Sequence, residues 1–190
     1  MHHSFNPVNA SVMVMAMVEP AMNISALKSE TRDAIADLYR ELDADIAARR
    51  PICNTSGRCC KFESWGHRLY VTALELCYFQ DLQSADRRNG PKNRSNGVRF
   101  PLPLYAGDGA FSPGCPWQVE GLCTARDSRP LGCRVYFCDP LSTTWQQDVY
   151  EKYHQKLVKL HEQFEIPYQY LEWREALAQL EQRELMGESI

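Results

Sequence analysis

The sequence predicts an α+β fold that is mostly helical, in which an irregular cysteine-rich core joins a long N-terminal helix to a C-terminal helical hairpin. Amphipathic patterns near both ends of the chain indicate the two helical regions. Turns rich in Gly and Pro lie between them, and seven of the eight cysteines fall in two short segments there. At 190 residues the chain is long enough to bury a hydrophobic core without depending on crosslinks.

We divide the chain into an N-terminal segment (1–22), a cysteine-cluster domain that includes its leading helix (23–140), and a C-terminal helical pair packed on the core (141–190). The N-terminal segment contains an apolar run from Val12 to Val18. This run is too short to span a bilayer, and no Lys or Arg precedes it as in a secretory signal. We therefore expect a cytoplasmic protein without membrane association, and interpret the run as a strand or a buried segment.

A long amphipathic helix is predicted over residues 24–50. Asn23 or Ser25 is expected to cap its start, and Pro51 to end it. Its apolar side chains recur at helical spacing and form one stripe: Leu27, Ala34, Ile35, Leu38, Leu42 and Ile46. The helix leads directly into the first cysteine segment.

A short strand over residues 67–71 is predicted next, followed by a helix from Thr72 to about Leu82. Thr72 and Glu75 have the spacing of a capping box, so Glu75 is interpreted as a helix cap and not as a catalytic acid. Cys77 lies inside this helix and is predicted to be a buried thiol apart from the other cysteines.

Residues 84–114 are rich in Gly, Pro, Asn and Ser and are predicted to form a loop, with a short strand over 98–104. The basic stretch 87–99 is either a solvated loop or a docking patch, for an acidic protein partner or, less favoured, for nucleic acid. The formal net charge of −3 gives no support for binding nucleic acid or an anionic membrane.

The C-terminal region contains two helical stripes, which Pro167 separates. They are expected to form an antiparallel pair with a charged outer face, and His154 and His161 are expected to be exposed. The first stripe comprises Trp145, Val149, Tyr153, Leu157, Leu160 and Phe164, and the second comprises Tyr170, Trp173, Leu177 and Leu180. No internal repeat is recognised in the chain.

Seven clustered cysteines are the candidate metal ligands: Cys53, Cys59, Cys60, Cys115, Cys123, Cys133 and Cys138. In a reducing cytosol such clusters more often bind metal than form disulfides. Zinc and iron–sulfur centres both use cysteine thiolates. The chain lacks the C-x2-C pairs that structural zinc sites favour, so its irregular spacing favours an iron–sulfur cluster, of the 4Fe–4S type, over zinc. An exported, disulfide-stabilised protein is the alternative.

The adjacent pair Cys59 and Cys60 is expected not to share one ion, because neighbouring side chains diverge in an extended backbone. Four cysteines are therefore drawn from a larger set, with Cys53 and Cys138 competing for the last places. Joining the two cysteine segments through a metal would close a long loop, which makes metal binding part of folding.

Flanking residues are predicted to tune the site. Arg58, Arg129 and Arg134 would offset the negative charge of the thiolates. The backbone N–H groups of Gly57 and Gly132 can approach sulfur closely, because no Cβ intervenes, and hydrogen bonds of this kind tune a cluster's potential. Tyr136 and Phe137 are expected to pack around the site and limit solvent.

The strings C-N-T-S-G-R-C-C, C-P-W-x3-G-L-C and R-P-L-G-C-R resemble the YkgJ-type cysteine-cluster family of zinc- or iron-chelating domains. The resemblance covers roughly residues 53–138. The matching residues are Cys53, Gly57, Cys59, Cys60, Cys115, Cys123, Arg129, Pro130, Cys133 and Arg134. Ser56 stands where the family has its second cysteine, and Cys138 is a candidate replacement.

This resemblance implies metal chelation and no single reaction. A similar cysteine motif occurs in flagellin lysine methylases that hold an iron–sulfur cluster. A cluster-dependent enzyme that modifies proteins is therefore one alternative to a protein that uses the cluster for electron transfer or partner assembly. The chain has no recognisable phosphate-binding glycine loop or methyl-donor motif, so whether it is an enzyme stays open.

Overall fold

The computed structural model describes residues 27–53, 56–89, 114–119, 122–138 and 140–185. Most of these residues are helical, which confirms the predicted mostly helical fold. The helices are α1 (Ser29–Arg49), α2 (Phe62–Trp65), α3 (Ala73–Asn89), α4 (Leu131–Val135), α5 (Thr143–Gln163) and α6 (Trp173–Leu185). The strands are β1 (Tyr70–Thr72), β2 (Gln118–Val119), β3 (Leu122–Cys123) and β4 (Tyr170–Glu172), and 3₁₀ turns cover Arg58–Cys60 and Pro140–Ser142.

Helix α1 ends where the sequence predicts. Arg50, which follows it, adopts a left-handed conformation with φ of 49°, directly before Pro51. The predicted capping residues, Asn23 and Ser25, lie outside the described residues. The predicted stripe is buried except for the half-buried Ala34, and the full buried set of the helix is Thr31, Ile35, Leu38, Tyr39, Leu42 and Ile46.

Two strand–helix units face each other across a small antiparallel sheet. Strand β1 leads into α3, β4 leads into α6, and Val71 pairs with Leu171 at the centre of the sheet. The flanking backbone bonds are equivalent, since Ala73 N donates to Gln169 O (3.0 Å) and Trp173 N donates to Leu69 O (2.9 Å). The strings Y-V-T-A-L-E and Y-L-E-W-R-E therefore occupy equivalent places in the two strand–helix units.

The core consists of two hydrophobic clusters. The cysteine-side cluster comprises Phe62, Leu69, Val71, Leu76, Phe79, Ala125, Trp173, Ala176, Leu177, Ala178 and Leu180, and Cys115, Trp117, Cys123, Cys133 and Leu171 pack against it. The helical cluster comprises Leu27, Ile35, Leu38, Tyr39, Leu42, Ile46, Leu74, Tyr78, Leu131, Val135, Val149, Tyr153 and Leu157. Helix α5 contributes to the helical cluster and α6 to the cysteine-side cluster. The two predicted C-terminal helices are thus present, but β4 separates them and each is anchored in a different part of the core.

The middle of the chain differs from its predicted outline. Helix α3 continues to Asn89, so residues 84–89, which were predicted as loop, are helical. The remainder of the basic stretch, the predicted strand over 98–104 and the N-terminal segment lie outside the described residues. Among the described helices none is both long and apolar enough to cross a membrane.

His161 is buried, at 2 % exposure, and the prediction that it is exposed is wrong. It extends the stripe of Val149, Tyr153 and Leu157 by one further turn of α5. Its Nδ1 lies 3.1 Å from the carbonyl oxygen of Ile166, whereas its buried Nε2 has no hydrogen-bond partner among the described residues. Burial lowers the pKa of His161, which favours the neutral ring.

Candidate metal centre

A tight turn presents the first pair of thiols. Gly57 has a φ of 68°, a left-handed conformation that glycine adopts at little cost, and it leads into the 3₁₀ turn Arg58–Cys60. In this turn the Sγ atoms of Cys59 and Cys60 lie 3.7 Å apart. The expectation that the two side chains diverge assumed an extended backbone, and that assumption is wrong.

The separation of these two sulfur atoms has a chemical meaning. Two thiolates bound to one tetrahedral zinc ion, each about 2.3 Å from the metal, have their sulfurs about 3.8 Å apart. The observed 3.7 Å is close to that value. Cys59 and Cys60 are therefore spaced so that both can bind the same metal ion.

The two cysteine segments meet through the backbone. The amide N–H of Cys115 donates to the carbonyl oxygen of Cys60 (2.7 Å), and Gln118 Nε2 donates to the carbonyl oxygen of Gly57 (2.8 Å). Gly114 makes this approach possible, because a Cβ at that position would lie 2.9 Å from the same Cys60 oxygen. Cys115 is thus placed directly against the first thiol pair.

All seven clustered cysteines line a single cavity, the cysteine cavity. Its volume is about 110 Å³, several times the roughly 10–15 Å³ that one buried water needs. Its lining thiols are those of Cys53, Cys59, Cys60, Cys115, Cys123, Cys133 and Cys138. Aromatic side chains from α3 and α6 complete the wall, since Phe79 contacts both Trp117 and Trp173 edge-to-face at 4.8 Å between ring centroids. The segments that the sequence analysis grouped are therefore brought together.

The thiols surround the cavity, but their sulfur atoms are not arranged around a common centre. Within the ranges that the structure describes, no group of three or more His, Cys, Asp or Glu side chains is placed to hold a metal ion. All eight cysteines fall within these ranges, and none of them forms a disulfide. Ligation of a metal would therefore require the lining thiols to move inward.

The inner thiols influence one another's protonation. The hydrogen bond with Cys60 and burial both raise the pKa of Cys59, and a hydrogen bond with Cys115 contributes most to raising the pKa of Cys60 to about 12. Burial raises the pKa of Cys123 and raises that of Cys133 well above its usual range. Without a cation these thiols stay protonated, so metal binding would displace their protons.

Two cysteines lie at the rim of the cavity. Cys53 is exposed. Cys138 is half-buried, and its Sγ atom lies 3.3 Å from the hydroxyl oxygen of Ser56. Cys138 is thus adjacent to the position at which the cysteine of the motif pattern is missing.

The predicted arginines have different roles. Arg129 lines the cavity, together with Arg126, which the sequence analysis did not identify. Burial lowers the pKa of Arg129, and the neighbouring positive charge of Arg126 lowers it further. Arg58 is exposed and is not among the residues that line the cavity.

Arg134, predicted to offset the thiolate charge, is not among the residues that line the cavity. Its guanidinium is buried, pairs with Asp43 at 2.7 Å, and lies 4.3 Å from the centre of the Tyr39 ring. It also donates to the carbonyl oxygens of Arg129 (2.7 Å) and Asp127 (2.6 Å). Arg134 therefore fixes the loop that bears Arg129 to helix α1.

The two predicted glycines also differ. Gly57 lines the cavity, whereas Gly132 lies where α4 approaches β1. A Cβ at Gly132 would come within 2.6 Å of Leu69 Cδ1, so the Leu69 side chain packs directly against this glycine. Tyr136 and Phe137 line the cavity as predicted.

No protein-family model matches the chain, and no curated protein or solved structure matches it significantly. The resemblance to the YkgJ-type family therefore stays a prediction that depends on the motifs alone. The geometry of the site has to be interpreted from the chemistry of its own side chains.

Glu75 organises the elements around the cavity and was predicted only as a cap. The capping box is confirmed, since Thr72 N donates to Glu75 Oε2 (2.8 Å) and Glu75 N donates to Thr72 Oγ1 (3.3 Å). The same carboxylate accepts hydrogen bonds from Tyr39 Oη (2.9 Å) and Leu131 N (2.7 Å). It thereby joins α1, α3 and α4, and α4 contains Cys133.

Cys77 is separate from the cavity. It lies half-buried in α3 beside the helical cluster, and burial raises its pKa to about 11. It is not among the residues that line the cysteine cavity. Its predicted separation from the other seven cysteines is confirmed.

Proposed function

We propose that this protein binds an iron–sulfur cluster, of the 4Fe–4S type, in the cysteine cavity. The observation that supports the proposal is that all seven clustered cysteines, from two distant segments, line one cavity. Thiolates are the usual ligands of such clusters, and four are needed. The inner candidates are Cys59, Cys60, Cys115, Cys123 and Cys133, while Cys53 and Cys138 are candidates at the rim.

The lining and charge of the cavity favour a cluster over a single ion. The cavity of about 110 Å³ is lined by seven cysteines, more than the four ligands that a single tetrahedral zinc ion takes. Arg126 and Arg129 line it, and their positive charges would offset the negative charge of a thiolate-bound cluster. A single structural zinc ion is the second candidate, because the 3.7 Å between the Cys59 and Cys60 sulfurs suits one tetrahedral metal.

We further propose that the cluster is used in the cytoplasm for electron transfer, a modification reaction or partner assembly. The motif matches at Cys53, Gly57, Cys59 and Cys60 and at R-P-L-G-C-R support relationship to the YkgJ-type family. A methylase-like enzyme and a disulfide-stabilised exported protein are the competing hypotheses. A thermal shift with S-adenosylmethionine would favour the first, and blocked cysteines after non-reducing alkylation would favour the second.

Anaerobic purification followed by analysis of iron, zinc and acid-labile sulfide tests the proposal. We expect iron and sulfide in similar amounts, with broad visible absorbance that dithionite bleaches. Cys133→Ser should lose most of the metal, whereas Cys77→Ser, a matched control outside the cavity, should retain it. If the protein contains zinc and no iron, even after anaerobic reconstitution with iron and sulfide, the result would favour the zinc-site hypothesis over the iron–sulfur cluster. A folded protein that binds neither metal would overturn the proposal.

A further inference from the structure

A second cavity lies directly behind the cysteine cavity. Its volume is about 230 Å³, and Cys59, Cys133 and Tyr136 line both cavities. We name it the tyrosine cavity, because four tyrosines line it. The lining residues that matter below are His67, Arg68, Tyr70, Tyr136, Tyr150 and Tyr170. None of them is used in the proposed cluster ligation.

Two pairs of stacked rings form its walls. Tyr70 and Tyr170 stack with ring centroids 5.3 Å apart and planes inclined by 19°. His67 and Tyr136 stack with centroids 5.6 Å apart and planes inclined by 14°. Aromatic rings favour further offset-stacked or edge-to-face partners, so these walls suit a flat aromatic molecule.

The walls are unusually exposed. Tyr70, Tyr136 and Tyr170 are 38 %, 39 % and 44 % exposed. They are three of the seven large hydrophobic side chains that are exposed among the described residues. Isolated exposed rings need no explanation, but a group of them around one cavity indicates a binding site.

The polar groups of the cavity determine which hydrogen-bonding groups and which charge a ligand must have. The hydroxyl oxygens of Tyr150 and Tyr170 lie 2.5 Å apart, so one donates to the other and the second hydroxyl hydrogen can be donated to a ligand. Arg68 is an exposed residue that lines the cavity, and its guanidinium can supply further donors to a ligand. No carboxylate is present among the described residues that line this cavity. Arg68 therefore disfavours a cation and favours a ligand with an acceptor oxygen.

We propose that the tyrosine cavity binds a planar aromatic compound whose ring bears a carbonyl or carboxylate oxygen. The ring packs against the two stacked pairs, and the oxygen accepts hydrogen bonds from the Tyr150–Tyr170 pair or from Arg68. The inference depends on the proposed function only for the position of the ligand beside the cluster, since Cys59 and Cys133 line both cavities. The chemical class is shared by quinones and aromatic carboxylates, and the experiment distinguishes them.

Isothermal titration of the full chain, purified anaerobically, tests this site. Duroquinone is the uncharged probe, because its fully substituted ring has no open position for thiol addition, and benzoate is the anionic probe. Tetramethylammonium is the cationic control and should not bind. We expect saturable binding of one aromatic probe, and Arg68→Gln should weaken benzoate binding while sparing duroquinone.

The wall residues supply the decisive variants. Tyr170→Leu and Tyr136→Leu should each weaken binding at least tenfold. Tyr168→Leu is the matched control, because Tyr168 is equally exposed at 44 %, belongs to the same segment and is not among the lining residues. Circular dichroism of each variant establishes that it is folded. If Tyr170→Leu disturbs β4, Tyr136→Leu still tests the cavity, because Tyr136 lies outside the β1–β4 sheet.

The two proposals fail in different ways. Metal analysis of the same samples reports the cluster independently of the ligand. Metal-loaded protein that binds neither aromatic probe, or that binds tetramethylammonium more tightly, overturns the tyrosine-cavity proposal alone. Equal weakening by Tyr168→Leu and Tyr170→Leu also overturns it. Probe binding by a protein without metal supports the cavity and overturns the cluster.

Discussion

Ser56 and Cys138 are 82 positions apart in the chain, yet the hydroxyl oxygen of one lies 3.3 Å from the sulfur of the other. Ser56 occupies the place at which the motif pattern has a cysteine. A thiol at either position would therefore approach the cysteine cavity from the same side. This proximity gives a physical basis for the proposal that Cys138 replaces the missing cysteine.

We predict that Cys138→Ser lowers metal content and that adding Ser56→Cys restores it. The second substitution returns a thiol within reach of the site that the first one vacates. Iron and sulfide analysis of the single and double variants measures the effect. Cys77→Ser in the same background is the control. A double variant with as little metal as Cys138→Ser alone would contradict the idea that a thiol at position 56 can replace Cys138.

The buried carboxylate of Glu75 accepts hydrogen bonds from three different parts of the chain. It is 3 % exposed and accepts hydrogen bonds from Tyr39, Thr72 and Leu131. Burial raises its pKa, while these hydrogen bonds lower it and so partly offset the cost. The sequence could predict the contact with Thr72, which is local. The contacts with Tyr39 and Leu131 depend on tertiary packing, so no local sequence pattern could have predicted them.

Glu75→Gln should destabilise the protein by about 1–3 kcal/mol. All three partners are donors, so the amide NH₂ of glutamine must face one of them and leave it unsatisfied. Glu175 is the matched control, because it occupies the equivalent position of the second strand–helix unit but is exposed. Glu175→Gln should change stability by at most about 0.5 kcal/mol in urea unfolding. Equal effects of the two substitutions would refute the argument.

At the scale of elements, the regular helices were predictable and the turns that position thiols were not. The apolar stripes of α1 and α5 follow a helical period over many residues, which is a strong signal. The 3₁₀ turn Arg58–Cys60 is three residues long and depends on the left-handed Gly57, so its thiol geometry could not be deduced from periodicity. Helix α3 continues beyond its predicted end because the sequence S-A-D-R-R-N over residues 84–89 resembles a loop in composition.

The contact between the two cysteine segments gives a prediction at this scale. Gly114→Ala should lower metal content several-fold, because its Cβ would lie 2.9 Å from the Cys60 carbonyl oxygen, to which Cys115 N is bonded. A backbone oxygen cannot rotate away as a side chain can, so the second segment must retreat from the first. Metal analysis and circular dichroism together measure the effect.

Gly66→Ala is the control for this substitution. Gly66 has a φ of 63° and open space around its Cα, so alanine there strains the backbone without a steric clash. We expect a loss of stability of roughly 1 kcal/mol with unchanged metal content. If Gly66→Ala depletes metal as much as Gly114→Ala does, general destabilisation and not the displaced segment would be the cause.

At the scale of the whole molecule, the candidate site was predictable as a set of cysteines but not as a cavity. Thiols are rare and clustered in the sequence, and the structure places all seven around one space. The aromatic wall could not be foreseen, because Phe79 and Trp173 come from helices far from the motifs in sequence. The tyrosine cavity likewise depends on the β1–β4 pairing, which joins segments about a hundred residues apart.

The two core clusters differ in how much backbone structure supports them. The helical cluster contains α1 and α5, which are 21 residues each. Among their described residues, the cysteine segments have a three-residue 3₁₀ turn, the two-pair ladder of β2 and β3, and the five-residue helix α4. Short elements of this kind are marginal without further support. On the proposed function, a bound metal would supply this support, as it does in small metal-binding domains.

Removal of the metal should therefore unfold one part of the molecule before the other. Hydrogen–deuterium exchange, measured by mass spectrometry with and without metal, should show protection lost in residues 56–66, 114–119 and 122–128 and kept in α1 and α5. The ion pairs between α1 and α5, Asp45–Lys152 and Glu41–Lys156, are exposed and contribute at most about 1 kcal/mol each, so the retained protection would come from the buried helical cluster. Uniform loss across the chain would show a single cooperative unit. Unchanged protection in the cysteine segments would show that they fold without metal, and either result contradicts the prediction.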